Sequence, residues 1–513
     1  MFDLFIVTFY FFILISFALK GRLSNNVSAS QYFLSSRNLP WYSVAISTIA
    51  TNIQGYQLLG MMGSAYIFGL AQANLEINAV QGILIGAFIF VPLYLKEKVY
   101  TITEFIEKRL GKNIALFYSI ANISLFSTIT LGAALFWGAY ATEVVFDDFL
   151  ESFVPNKFER IVYLIIALGL LSGYYTYLGG LNAVVKTDII QFVIIIVGGI
   201  LVFYTSISNL GGIEQLYEKT GDKMHLHLSY NHPTLPWTHV LGLFFLNINY
   251  WCANQTIMQR AIAAKSLNHA QVGLLAGGLI KYFMAAIIVL PGIALYGILG
   301  ENLEDPDLAF PYIVKNLLPS GFKGIILCSL FASLMSTLDS TLNSIATMWS
   351  TDIYSKYINK TASDKQKIIA GRKSIIIALC TGLAVGIYLL YLKLDKPQVA
   401  FTHVLNNLRY YINCGIVILI CSSVLLIKPN KKIIFCLLLL SVPFNLTIEK
   451  LIPELNYFLR AFTVIISSLI LSIIYSERKI KNIRSLFYPG SILNRNLGYL
   501  LLSSLIIVHF LFS

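Results

Sequence analysis

The sequence predicts an all-α integral membrane protein built around two five-helix units of opposite orientation. Three observations carry that expectation. The 513-residue chain is 57% hydrophobic and 12% charged, with a mean hydropathy of +0.72, a composition that excludes a soluble enzyme. Its basic residues segregate to alternate loops. Two of its apolar segments are interrupted at their centres by clusters of amides.

A spanning helix needs about 20 mostly apolar residues, and about fourteen segments meet or approach that criterion. They lie at 2–19, 40–69, 77–95, 115–141, 161–180, 183–205, 236–263, 272–299, 321–349, 374–392, 399–427, 433–446, 456–475 and 497–513, of which 433–446 is short. The opening "MFDLFIVTFYFFILISFALKGR" has no basic n-region and no small-residue cleavage site, and Lys20 and Arg22 follow its apolar run. It therefore reads as a retained helix with its N-terminus outside the cytoplasm, not as a cleaved signal peptide.

With that orientation, alternate loops collect about 25 of the 37 Lys and Arg and the opposite loops about 10. The basic loops include "LKEKVYTITEFIEKRLGKN", "YSKYINKTASDKQKIIAGRKS" and "SERKIKNIRSLF". This positive-inside asymmetry predicts a multi-pass protein of the plasma (inner) membrane. The net charge of +12 then faces the cytoplasm and anionic lipid and implies no nucleic-acid partner. The six cysteines are scattered through helices without a CxxC pair, so neither a disulfide framework nor a metal site is expected of them. "HLHLSYNHP" (225–233) reads as a solvated loop.

The interrupted segments are "STIATNIQGYQLLGMMG" (47–63) and "FFLNINYWCANQTIMQR" (244–260). Each opens a run of five helices, and the charge pattern starts one run inside and the other outside. The organisation that follows has an extra N-terminal helix and linker over 1–35 and a first repeat over 36–207. An extracytoplasmic loop (208–235), a second repeat (236–428) and extra C-terminal helices (429–513) complete it. Inverted repeats that each open with a broken helix point to a secondary transporter, because unwound backbone is tolerated in a membrane only where it lines a cavity or a site.

Ionisable residues at membrane depth usually face a pathway or a partner. Glu76 begins the helix after the first interrupted one, and Lys281 lies deep in "VGLLAGGLIKYFMAAIIVLPG". Together with amides at Gln57, Asn247 and Asn406 they form a set of acceptors and donors suited to a neutral polyhydroxylated solute. Arg409 keeps a carboxylate solute open. In "SLFASLMSTLDSTLNSIATM" (329–348), Ser333, Ser336, Thr337, Ser340, Asn343, Ser344 and Thr347 fall within an arc of roughly 120°. Such an arc either lets helices pack closely or offers oxygens to a hard monovalent cation such as sodium. Asp339 flanks it, and Asp188 sits near the start of its own helix.

At these residues the chain resembles the solute:sodium symporter family, and within it the sodium/glucose (sodium/galactose) cotransporters. The matching segments are "GGLNAVVKTDIIQ" (179–191), "FASLMSTLDSTLNSIATMWSTDIY" (331–354), "YWCANQTIMQRAIAAKSL" (250–267) and "TITEFIEKRLG" (101–111). The resemblance implies a LeuT-type core of 5+5 inverted helices with one extra N-terminal and three extra C-terminal transmembrane helices. It implies co-transported sodium held by backbone oxygens of Ala50 and Ile53 with Ser333, Ser336 and Thr337. It further implies sugar binding by Gln57, Glu76, Asn247, Lys281 and Asn406, with Tyr250 as an inner gate. Asn406 stands where a Gln is usual. A second sodium site, present in some members, would use Asp188 and Asp339.

The function expected is therefore sodium-coupled import of a sugar or related solute by alternating access, with no catalysis. Two other readings remain. One is a symporter of the same family for a carboxylate, sialic acid or amino acid. The other is a membrane-embedded acyltransferase-type enzyme using His403. Ser340, Ser344 and Thr347 are expected to serve close packing.

Overall fold

A computed structural model describes residues 2–20, 28–55, 57–319, 321–395, 401–477 and 480–513. Tyr56 in the first interrupted segment, the linker 21–27, residues 399 and 400 of one candidate span and residues 478 and 479 of a basic loop lie outside the described residues. Among the described residues the regular structure is helical, with β pairing confined to isolated bridges.

The helices used below are α1 (Phe2–Lys20), α2 (Trp41–Asn52), α3 (Gln57–Lys96), α4 (Lys112–Val145) and α5 (Lys157–Leu210). They continue with α6 (His239–Ile248), α7 (Gln255–Ile262), α8 (Leu267–Leu299), α9 (Phe322–Ile358) and α10 (Asp364–Asp395). The last four are α11 (Phe401–Leu425), α12 (Lys431–Leu451), α13 (Tyr457–Ile474) and α14 (Ile492–Leu511).

Ten of the described helical stretches are long and apolar enough to cross a membrane: α3, α4, the Thr176–Leu210 part of α5, and α8 to α14, α11 counting from His403. The remaining expected segments take other forms. α1 is apolar but shorter, and the segments 40–69 and 236–263 are each split by a break. The segment 161–180 runs into its successor as one kinked helix. The short 433–446 candidate grows to the 21 residues of α12, because helical hydrogen bonding continues through the polar residues at both its ends.

Two glycines set the bends. Gly180, inside α5, has φ +58, and a Cβ there would come within 2.6 Å of the Tyr32 carbonyl oxygen. Only glycine adopts this left-handed conformation without cost, so the helix changes direction here instead of ending. Gly69 (φ +65) bends α3 in the same way. The segments 40–69 and 77–95 therefore meet in one bent run, in which Glu76 sits in the first turn of the helical piece Asn74–Ile77, as expected of it.

α9 is the central helix. Of its apolar window 94% is buried, against 22% for α14 at the periphery. It packs against α5, α2, α10 and α1, while α8 packs against α2 and α14. Small residues permit this approach: Gly198 of α5 faces Ser329, and Gly138 of α4 and Gly55 both face Leu334.

Candidate functional site

The first break follows from backbone groups that lose their helical partners. α2 ends at Asn52, and Ile53 (ψ 88) turns the chain out of the helix. Gln57 stitches the gap: its Oε1 accepts from the Gln54 N–H at 2.6 Å, and its own N–H donates to the Gln54 carbonyl at 2.8 Å. Its remaining Nε2 donates to Glu76 Oε1 at 2.5 Å. The second break has its own cap. After α6 the residues Asn249–Ala253 widen into a π turn, and Asn254 is extended (φ −88, ψ 119). The Asn254 side chain accepts from the Thr256 N–H at 2.9 Å and so starts α7. Wide π turns of this kind recur at functional sites.

The two breaks face one cavity. Its lining includes Gln57, Glu76, Asn247, Lys281 and Asn406, the five residues expected to hold a solute, and Tyr250, the expected inner gate. Asn52, Trp251, Arg409, Tyr410 and Asn413 join them. The charged centre is an ion pair between Lys281 Nζ and Glu76 Oε2, with side chains 0% and 4% exposed. The ammonium also donates to Asn52 Oδ1 at 2.5 Å and lies 5.8 Å from the centroid of Trp251. Asn247 donates to the Asn78 carbonyl at 3.0 Å, holding α6 against α3. Among the described residues the buried Asn413 Oδ1 has no hydrogen-bond partner. A polar ligand entering here meets both donors and acceptors, with Tyr250 and Trp251 forming an aromatic wall, their ring centroids 5.4 Å apart.

The oxygens expected to hold sodium are divided between two settings. Ser333 Oγ donates to the Ile53 carbonyl at 2.8 Å, which joins α9 to the first break. Thr337 Oγ1 donates back to the Ser333 carbonyl at 3.0 Å. Ser336 Oγ is directed to Asp188 Oδ1 at 2.6 Å. Ala50 lies one turn before the break in the fully buried part of α2.

Asp188 belongs to a network whose centre, Arg260, was not singled out from the sequence. The Arg260 guanidinium is fully buried, pairs with Asp188 Oδ2 at 3.5 Å and donates to Ser47 Oγ at 3.0 Å. It also donates to Ser340 Oγ and to the Thr256 carbonyl. Ser47 Oγ donates to Asp188 Oδ2 at 2.5 Å. Next to it, Gln259 donates to Thr347 Oγ1 at 2.9 Å and accepts from Ser344 Oγ at 3.1 Å. Ser340, Ser344 and Thr347, buried in the interface with α7, therefore also hydrogen-bond across it, a role beyond the close packing expected of them. The signal available in the sequence was the adjacent "QR" at the end of an otherwise apolar segment.

Asp339 faces α5 and accepts from Ser172 Oγ at 2.7 Å and Thr176 Oγ1 at 3.0 Å. His403 shares a 2.6 Å hydrogen bond with the Tyr457 hydroxyl and meets the edge of Phe68. In the 225–233 loop, His227 hydrogen-bonds His509 at 2.9 Å, and His232 also meets Phe68 edge to face. Burial pushes the imidazoles of both His227 and His232 below their usual pKa. Among the described residues no group of three or more His, Cys, Asp and Glu could hold a metal ion, and the cysteines are unpaired.

Comparison with known proteins meets this geometry. The chain is 33% identical over 409 residues to the sodium/glucose cotransporter of Vibrio parahaemolyticus, covering 74% of this chain and 73% of that protein. It is 29% identical over 424 residues to sodium/glucose cotransporter 1 of Oryctolagus cuniculus, covering 74% of this chain but only 62% of that longer protein. In structure it is similar to a Na+-coupled sialic acid symporter solved in a substrate-bound outward-open state. That match has a TM-score of 0.78 at 20% identity, over 94% of this chain and 99% of that one, a likeness of fold. The family model for the sodium:solute symporter family matches residues 32–424, a span that holds both helix breaks, the polar cavity and the hydroxyl face of α9. The chain belongs to the sodium:solute symporter family, a group of multi-pass membrane transporters that co-transport sodium with a solute.

Proposed function

We propose that this protein imports a neutral polyhydroxylated solute of the sugar class together with sodium, by alternating access. The observation that carries the reading is the buried Lys281–Glu76 pair ringed by Gln57, Asn52, Asn247 and Asn406 in one cavity. The two charges cancel, so the site offers strong donors and acceptors without favouring a charged ligand. Sugar hydroxyls, which donate and accept alike, use both. The glucose cotransporters among the relatives support the same class.

In this reading sodium binds where α2 ends. The carbonyls of the last turn, Ala50 and Ile53 among them, lack the helical partners that a continuous helix would provide, and they carry the negative end of the helix dipole. Ser333, Ser336 and Thr337 complete the set when their hydroxyls turn from Ile53, Asp188 and the Ser333 carbonyl toward the ion. Bound sodium pins the break and with it Gln57, so ion and solute raise each other's affinity by the same factor. The membrane potential adds about 2.3 kcal/mol per charge per 100 mV to inward movement. Asp188 and Asp339 are the acids for a second ion, and at Asp188 the ion competes with Arg260. Tyr250 closes the cavity from the inner side.

The proposed topology has about fourteen spans with the N-terminus outside the cytoplasm, arranged as two inverted five-helix repeats. The paired breaks at 53–54 and 254 and the alternation of basic loops support it. One observation favours a second reading: Arg409 lines the same cavity and would suit a carboxylated sugar or other acid.

Tracer uptake into proteoliposomes separates these readings. Sugar uptake driven by an imposed sodium gradient, competed by neutral sugars and not by sialic acids or amino acids, is the expected result. Competition by acids alone, lost in Arg409→Gln, would replace it with the second reading. Uptake indifferent to sodium would refute both.

A further inference from the structure

At the end of the bundle that carries the basic loops, a cavity of about 330 Å3 opens between the first turn of α4 and the first turn of α12. Lys112, Lys431 and Lys432 line it, together with Asn113, Ile114 and Phe435. All three lysines are exposed, and among the described residues none of them makes an ion pair or a side-chain hydrogen bond. Neighbouring lysines behave differently: Lys108 pairs with Glu97, Lys356 with Glu107 and Lys428 with Glu477. Three unneutralised ammonium groups around one concavity repel each other unless an anion joins them.

The wall below the lysines is apolar. Phe117 and Phe435 meet edge to face with centroids 6.0 Å apart, one helical turn or slightly more into the bundle from Lys112 and Lys431. Ile120 of α4 and Leu439 of α12 continue this surface outward-facing and exposed, as a bilayer contact requires. A cationic cup above an apolar strip matches a molecule with an anionic head and a hydrocarbon tail. None of these residues lines the solute cavity.

We propose that this cavity binds the phosphate-bearing headgroup of an anionic phospholipid, with an acyl chain lying along Phe117 and Phe435. Basic residues at a membrane surface attract anionic lipid additively, at about fivefold in affinity per lysine and about a hundredfold for three.

The test uses the full-length protein in mild detergent and follows thermal unfolding while dioleoylphosphatidylglycerol, dioleoylphosphatidylcholine or inorganic phosphate is titrated. Phosphatidylglycerol should stabilise the wild type saturably where phosphatidylcholine and inorganic phosphate do not. The variant Lys112→Gln/Lys431→Gln/Lys432→Gln should lose about a hundredfold in apparent affinity while unfolding at the wild-type temperature without lipid. A second variant, Lys96→Gln/Lys360→Gln/Lys365→Gln, removes the same charge from exposed positions elsewhere and should keep wild-type affinity. Equal loss in both variants would mean diffuse attraction and overturn the site. An equal response to inorganic phosphate would mean a soluble anion, and no difference between the two lipids would overturn the proposal outright.

Discussion

The Lys281–Glu76 pair gives the most quantitative test of the cavity. Both side chains are buried, at 0% and 4% exposure, so each charge depends on the other. Lys281→Met leaves the Glu76 carboxylate with Gln57 Nε2 as its remaining donor. Glu76→Gln leaves the ammonium with Asn52 Oδ1. Breaking a buried pair from one side costs about 3–5 kcal/mol, whereas removing both charges is often close to neutral. The double variant Lys281→Met/Glu76→Gln should therefore recover most of the stability lost by either single variant. The coupling energy should be about 3 kcal/mol or more, far above the roughly 0.5 kcal/mol within which independent sites add. Equilibrium unfolding in mixed micelles, run as a double-mutant cycle, measures it. Sodium-driven uptake should stay lost in all three variants, since the donor and acceptor proposed to contact the solute are gone even where the fold is restored. Additive stability losses would refute the pairing, and a double variant that transports normally would refute the role of the pair in binding.

Three further outcomes are expected. Gly180→Ala should destabilise the protein by about 1–2 kcal/mol from the left-handed φ alone, with more from overlap with the Tyr32 carbonyl; an unchanged unfolding temperature would contradict the kink. Ser333→Ala/Thr337→Ala should abolish sodium stimulation of solute binding, read as a sodium-dependent thermal shift, while residual binding without sodium persists; retained stimulation would move the ion elsewhere. The pair Asp147–Lys315, joined at 2.6 Å outside the spanning helices, sets a pH window. Partial burial opposes ionisation of Asp147, but the Lys315 hydrogen bond and the Asp148 N–H outweigh it and hold the carboxyl below 3.8, while the bond to Asp147 raises Lys315 above 10.5. A lowered acid stabilises the fold above its unfolded pKa and a raised base below its own, so the contribution is present between the two and lost at either extreme. Lys315→Gln should flatten the acid limb of the stability profile, and an unchanged limb would refute the pairing.

The sequence by itself determined the class of the protein and picked out Gln57, Glu76, Asn247, Lys281 and Asn406, which line one cavity. Hydropathy and basic-loop alternation depend only on composition along the chain, and lipid enforces them strictly, since a spanning segment must bury its own backbone. The broken helices were legible from amides clustered at the centre of an apolar segment: Asn52, Gln54 and Gln57 in one and Asn247, Asn249 and Asn254 in the other, of which Asn52, Gln57 and Asn247 line the cavity. The tertiary structure decided the pairings. That Lys281 meets Glu76, 205 positions earlier in the chain, or that Asp188 meets Arg260, is a matter of which helix faces which, and no periodicity within one helix contains it. The hydroxyl face of α9 shows the division most plainly. Its arc could be read from a helical period of 3.6 residues, but only packing separated Ser333, directed at the break after α2, from Ser340, Ser344 and Thr347, directed at Arg260 and Gln259. A hydroxyl's partner is set by the neighbour it reaches across a helix interface, and that neighbour exists only once the helices have packed.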